Sequence, residues 1–445
     1  MASRCLHSEL RLESSPHVFN TNYKRADEAR RIAATQTSGR APQNLDEFYV
    51  AASTFPAPLI LPEDELALDG KYPAQSVRSW VRGEYRNEVT AKRNTIYVVA
   101  PPAISDEVEC MRAWSRPDIP STATASRSKK SKKDRKPVPL AHPRIDDVRD
   151  YFTAFFYGMS VREMDQPWRF TNWETSDRPQ RKDQREAVAL ETQNSVVRVR
   201  TRASLDGCFT RQLNLSDLLD ACIESVPADA YAVLLLVEHD MYEDEDDDFC
   251  CGRAYGGSRV AVVSTARYHP LLDDWQGVER DHAWPASHCS AYVVDSCKDI
   301  DRKQSCAKQP AIAQTSTPNP SALQEAVSAY SALPSLLYAP SRTALEGLWL
   351  GRVCKTAAHE VGHCLNMDHC VYYACLMQGT ANICEDARQP PYLCPVDLAK
   401  YQLASGADIL ARYQALLAFC HDRSDMHWAA AFAAWLRVRV TELLR

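Results

Sequence analysis

No run of this 445-residue chain is apolar for long enough to cross a bilayer: the longest, Tyr231 to Val237, has seven residues, where a spanning helix needs roughly 20. A basic surplus is missing too. Lys and Arg number 52 against 58 Asp and Glu, a formal net charge of −6, which excludes a global grip on phosphate backbones and leaves only a local contact with nucleic acid open. The start of the chain, Met1-Ala2-Ser3-Arg4-Cys5-Leu6-His7-Ser8-Glu9, lacks the apolar stretch of a secretory leader. The expectation is a reducing, cytoplasmic setting with no membrane association.

In that setting the 16 cysteines read as metal ligands more readily than as bridges, because cytosolic thiols are kept reduced. They are unevenly spread. Residues 364–394 hold five of them, where even scatter gives about one.

The chain is about three times the 150-residue yardstick for one domain. Residues 1–90, broken by Pro56, Pro58 and Pro62, read as an irregular N-terminal extension. A core domain is expected over 91–405, with disordered insertions at about 116–142 and 290–334, and a helical segment over 406–445. Within the domain, Asn94 to Val99 has the β-branched and aromatic bias of a buried strand. Ile145, Val148, Tyr151, Phe152 and Phe155 recur at helical spacing, with Gly158 as a stop. Asn194 to Arg200 alternates as a strand, Ser216 to Leu219 opens a short helix, and Ala230 to Val237 and Arg259 to Ser264 follow as strands. This order describes an α/β fold around a mixed sheet. A long helix from Arg342 to Leu365 comes next, then closing helices over Leu398 to Cys420 and Met426 to Leu444.

On that long helix, His359-Glu360-Val361-Gly362-His363 places two imidazoles on one face, four residues apart, with Glu360 beside them. A hydrolytic zinc takes three protein ligands and keeps one position open, and His369, six residues beyond His363, is the expected third. The chain must leave the helix to bring His369 back. Asn366 stands at the turn, and Asn is the non-glycine residue that best tolerates a left-handed backbone. Zinc on three neutral imidazoles lowers the pKa of a bound water to about 7, and Glu360 is placed to act as general base and then acid, which makes amide hydrolysis the expected chemistry.

Cys370, Cys375, Met377 and Cys394 extend this pattern. Together with His359, Glu360, His363 and His369 they resemble the archaemetzincins, whose signature is H-E-x-x-H-x-x-G-x-x-H-C-x4-C-x-M followed by a distal C-x-x-C. The likeness is strongest from Gly351 to Lys400 and faint before Asn94. It implies a metzincin-like zincin fold, with a mixed twisted sheet, an active-site helix and C-terminal helices. It also implies one catalytic Zn2+ on the three histidines, a second structural zinc on the cysteines, and Met377 in a turn beneath the catalytic metal. Two positions depart from the signature: Asn366 replaces its glycine and Asp397 its last cysteine. Asp397 either ligates the second zinc, completing a Cys3Asp set, or caps a helix starting at Leu398; Cys384 or Cys364 is an alternative donor.

The expected activity is that of a zinc metallopeptidase, either an endopeptidase or an aminopeptidase, acting on a peptide or an unfolded protein. A catalytically weak or inactive zinc-stabilised peptide-binding protein is the alternative. Three lesser signals are each set against a plainer reading. The acidic run Glu243 to Asp248 favours basic peptides or is a solvated loop. The strand Arg259 to Ser264 is a sheet edge that pairs with substrate or a plain core strand. The basic run 127–136 is a nuclear localisation signal or a flexible loop. Oligomeric state has no sequence signal.

Overall fold

A computed structural model describes residues 5, 7, 9–42, 51–118, 139–173, 185–301 and 320–444. The basic run 127–136 lies outside them, as do most of the stretch 116–142 and residues 302–319. The chain folds as two compact units. The first gathers Met1–Glu84, Gln276–Pro340 and Met367–Arg445; the second is Tyr85–Trp275 with Ser341–Asn366.

The named strands all belong to the second unit. They are β1 Thr95–Val99, β2 Ala103–Ile104, β3 Ser160–Glu163, β4 Arg169–Thr171, β5 Ala187–Glu191, β6 Val196–Ala203, β7 Arg211–Asn214, β8 Ala230–Val237, β9 Asp240–Tyr242, β10 Gly252–Tyr255 and β11 Val260–Ser264. They form two sheets rather than the single one expected, in the orders β10-β11-β8-β1-β3 and β2-β4-β5-β6-β7-β9. In the first sheet β3, β1, β8 and β11 run parallel and β10 is antiparallel. Parallel strands covered on both faces need continuous apolar sequence, and every residue of β1, β8 and β11 is buried. β11 is therefore not an edge. It pairs with β8 on one side and β10 on the other, and β10 takes the border position.

The motif helix, Arg342–Cys364, packs on β10, β11 and the helix Ile145–Phe155. Ser341 starts it, its side chain accepting from the Ala344 N–H at 3.1 Å, a contact that satisfies an otherwise orphaned first-turn donor. Trp349 anchors its middle by donating from Nε1 to the Thr265 carbonyl at 2.8 Å. The helix stops at Asn366, whose φ of 61° is left-handed and whose N–H donates back to the His363 carbonyl at 2.8 Å.

The first unit is helical and irregular. Its N-terminal stretch buries Tyr23, Phe55, Ile60 and Leu66, and Arg388 clamps Asp64 through two buried contacts of 2.5 and 3.0 Å. Inside the stretch 290–334 stand two helices, Ser290–Asp301 and Ala322–Ser331. The second opens with a reciprocal capping box between Ser321 and Gln324. Closing helices are present, but Leu398 to Cys420 is not one of them. Pro395–Ser405 ends at Gly406, φ 68°, and Ile409–His421 restarts from an Asp408 cap. A glycine in the left-handed region ends a helix at no steric cost. His427–Leu443 completes the set and packs on Ala322–Ser331 and Ile409–His421.

Candidate metal centres

In the second unit, His359 and His363 lie one helical turn apart, with Nε2 atoms 3.0 Å from each other and ring planes at 83°. Two imidazoles on one tetrahedral zinc with bonds of about 2.05 Å would place their nitrogens about 3.3 Å apart, so the pair fits such an ion with little movement. Glu360 follows His359 directly and is buried. The border strand β10 runs beside this turn. A Cβ on Gly252 would stand 3.1 Å from Glu360 Cγ, and one on Gly256 would stand 2.6 Å from the His363 carbonyl oxygen. Only glycine allows the backbone at 256 that close to the helix end. Cys250, just before β10, is half-buried, and its thiol is pushed up to about 12 by desolvation and then by the charge of Glu360.

His369 belongs to the first unit, six residues beyond His363. Tyr72 lies across it, ring centroids 5.5 Å apart. Gly379 supports it from below: a Cβ there would come within 2.5 Å of Nδ1, so the position must be glycine for this ring to keep its place.

The cysteine centre lies wholly within the first unit. Cys370, Cys375, Cys394 and Asp397 are buried and present donor atoms within 4.8 Å of one another. Cys370 Sγ is 3.5 Å from Cys394 Sγ, and the Cys375 and Cys394 thiols each donate to Asp397 Oδ2 at 3.3 Å. Backbone N–H groups of Cys394 and Met377 point at Cys375 Sγ from 3.1 and 3.5 Å. Met377 is fully buried, and its carbonyl accepts from the Cys370 N–H at 2.7 Å.

Asp397 is not a helix cap. Its helix starts at Pro395, Cys394 is the N-cap residue without a side-chain cap bond, and Asp397 sits inside the first turn. Its Oδ2 faces the sulfurs, while Oδ1 accepts from Lys400 Nζ at 2.8 Å. Gln75 holds that ammonium through Oε1, also at 2.8 Å. The alternative donors are elsewhere: Cys384 donates to the carbonyls of Gln276 and Gly277, and Cys364 belongs to the second unit.

Four buried anionic groups side by side cannot all ionise. Burial, then the charge of Cys370, lifts Asp397 to about 6 against the pull of Lys400. Burial also lifts Cys375 and Cys394. Burial raises Cys370 too, but thiol donors from Cys375 and Cys394 and the Lys400 charge outweigh it, leaving that thiol well below its usual range. A thiophilic divalent ion bound by this set would release the protons its donors carry. Lys400 went unnoticed in the sequence, although its spacing of three residues from Asp397 on a helix was the available signal.

The acidic run exposes Asp244, Glu245, Asp246 and Asp248 to solvent, as a loop reading expects, and is held at Glu243 and through its backbone. Arg253 pairs with Glu243 at 2.6 Å, and Arg202 Nη1 donates to the backbone oxygens of Asp244 and Glu245 at 3.2 and 2.8 Å.

The class of protein emerges from the segment that holds these groups: residues 327–402 match the model of Peptidase family M54, a span that includes both motif histidines, His369 and the whole cysteine centre. Relatives agree. The chain is 29% identical over 286 residues to human Archaemetzincin-2, covering 64% of this chain and 61% of that protein, and 28% identical over 206 residues to human Archaemetzincin-1, covering 46% and 33%. It thus spans about 60% of the length of the Archaemetzincin-2 proteins of rat and human. Among solved structures, archaemetzincin from Methanopyrus kandleri aligns over 70% of this chain and 97% of that one, at 16% identity and a TM-score of 0.29, a likeness too loose to bear structural weight. The matched segment is thus that of Peptidase family M54, and the relatives this chain resembles over it are archaemetzincins. No helix among the described residues is long and apolar enough to cross a membrane.

Proposed function

We propose that the chain is a zinc-dependent peptidase, with His359, His363 and His369 as the ligands of the catalytic ion and Glu360 as general base and acid. The observation that supports this best is the imidazole pair on the motif helix, Nε2 atoms 3.0 Å apart, with Glu360 between them in sequence. A zinc ion there would supply Lewis acidity for a peptide carbonyl and an acidified water. Glu360 would take the water proton on its carboxylate and return it to the leaving amine. Asn366, by turning the backbone left-handed, would direct the chain toward His369. The border strand β10, antiparallel to β11 and beside Glu360, offers the free edge on which an extended peptide would be held by backbone hydrogen bonds. In the cysteine centre Cys370, Cys375, Cys394 and Asp397 would hold a second, structural zinc, Asp397 acting through Oδ2.

A peptide-library digest with the intact chain and with Glu360→Gln tests the catalytic reading. Cleavage should fall at least about a thousandfold in the variant while zinc content stays unchanged, since a residue acting only in the transition state lowers rate without lowering metal affinity. Equal cleavage by both proteins, or none by the intact chain, overturns it.

A further inference from the structure

Far from both motifs in sequence, the first unit brings together a third set of metal-binding side chains: Cys5, His282 and Cys289 offer donor atoms within 4.8 Å of one another. We propose that these three residues form a separate zinc site, which fastens the N-terminal stretch to the start of the helix Ser290–Asp301. The proposal does not depend on the peptidase reading.

The geometry suits a tetrahedral ion. The Sγ atoms of Cys5 and Cys289 are 3.4 Å apart. Two thiolates on one zinc with bonds of about 2.3 Å stand about 3.8 Å apart, whereas a disulfide requires about 2.05 Å. Two thiols and an imidazole are also the donor types that zinc selects over harder cations.

His282 is prepared as a ligand from both ends of its ring. Nδ1 is 2.8 Å from Glu279 Oε2, the arrangement in which a carboxylate takes the Nδ1 proton, fixes the tautomer and leaves Nε2 as a lone-pair donor. Nε2 is buried, with no hydrogen-bond partner among the described residues. A buried ring nitrogen without a partner costs free energy unless something else binds it. Tyr292 stacks on the ring at 4.3 Å and 10°, holding its plane.

Cys289 is set in a similar way. It immediately precedes the helix, and the N–H groups of Tyr292 and Ala291 point at its sulfur. Helix-start N–H groups stabilise thiolate. The backbone around the cluster is already paired: Leu10 bridges Cys289, the Arg11 N–H donates to the His288 carbonyl at 2.7 Å, and the Ser290 N–H donates to the Glu9 carbonyl at 2.9 Å. A metal at this point would tie Cys5 as well to this crossing. Three protein donors leave one coordination position, which His7, its ring edge-on to His282 with centroids 5.4 Å apart, borders.

Two measurements on the full chain test this. Zinc counted by elemental analysis should fall by about one per chain in Cys5→Ser/Cys289→Ser. It should fall equally when those changes are added to a His359→Ala/His363→Ala background, which separates this site from the proposed catalytic one. In the intact chain, alkylation followed by peptide mass spectrometry should find Cys5 and Cys289 protected at least about tenfold with zinc and reactive once a chelator has removed it. The second measurement needs no variant and survives any folding defect in the first. An unchanged zinc count in the double variant, alkylation of Cys5 at the same rate with and without zinc, or recovery of Cys5 and Cys289 as a disulfide from protein prepared under reductant would each overturn the proposal.

Discussion

On the motif helix two imidazoles meet because one turn of helix brings residues 359 and 363 to the same face, whereas the cysteine centre gathers a residue after a helix end, one before a turn and two from the start of a later helix. The first arrangement is local and depends only on the helix. The second exists only when the first unit is folded, and it includes a carboxylate and an ammonium, Asp397 and Lys400, that are almost wholly buried. Breaking the histidine pair should therefore disturb little structure, while breaking the cysteine centre strands a buried charge.

The largest stability effect should accordingly come from Asp397→Ala. Removing one partner of a buried ion pair and leaving the other costs about 3–5 kcal/mol, because the Lys400 ammonium keeps its desolvation penalty without its counter-charge. Asp397→Cys supplies a softer donor and should retain or tighten zinc while still leaving Lys400 without a carboxylate. Chemical denaturation of zinc-loaded protein would separate these outcomes. Should Asp397→Ala lose under about 1 kcal/mol and keep its zinc, the carboxylate neither ligates nor balances Lys400.

Acid should distinguish the two units next. In the second unit His239 and His269 are each held down to about 4, chiefly by burial; in the first, His288 is held at about 4 for the same reason, its Nε2 facing the Ala57 carbonyl at 3.1 Å. A histidine kept neutral in the fold binds its proton more readily when unfolded, so stability is lost as pH falls from about 6.5 to about 4, on the order of 3 kcal/mol for a fully buried ring. The first unit has an opposing group. Burial and the charge of Asp64 raise Glu385 to about 8, so between about 4.5 and 8 the folded state holds a proton that the unfolded state has lost, and stability there falls as pH rises. The second unit should therefore open first on acidification, visible as earlier loss of amide-exchange protection in β8 and β11 than in Ile409–His421. The opposite order would mean that His239 and His269 do not control the sheet.

What was legible follows the same division between local and assembled features. The strand β8, the helix Ile145–Phe155 and the histidine pair are written in runs and periods of fewer than a dozen residues, and the sequence shows them within a residue or so. The second sheet was hidden because β2, β4 and β9 have two or three residues each, too short for a periodic signal, and draw their order from distant partners. The place of β11 stayed open between edge and core because its partner β10, Gly-Arg-Ala-Tyr, has little strand character of its own. The role of Asp397 stayed open between ligand and cap because only the start of its helix at Pro395 decides where Oδ2 points. Cys5 and Cys289, separated by 284 positions, had no spacing to reveal them.

The smallest expected effect lies at the residue that ends the motif helix. Asn366 is left-handed at φ 61°, a conformation that costs most L-residues roughly 1–2 kcal/mol and Asn less. Asn366→Gly relieves what strain remains but loosens the unfolded chain, so the two terms nearly cancel and the net change should stay within about 0.5 kcal/mol. Asn366→Ala has no such relief and should lose about 1 kcal/mol. If both variants lost the same amount, the amide side chain rather than the backbone angle would be what position 366 requires, and the departure from the family glycine would be a gained contact instead of a tolerated turn.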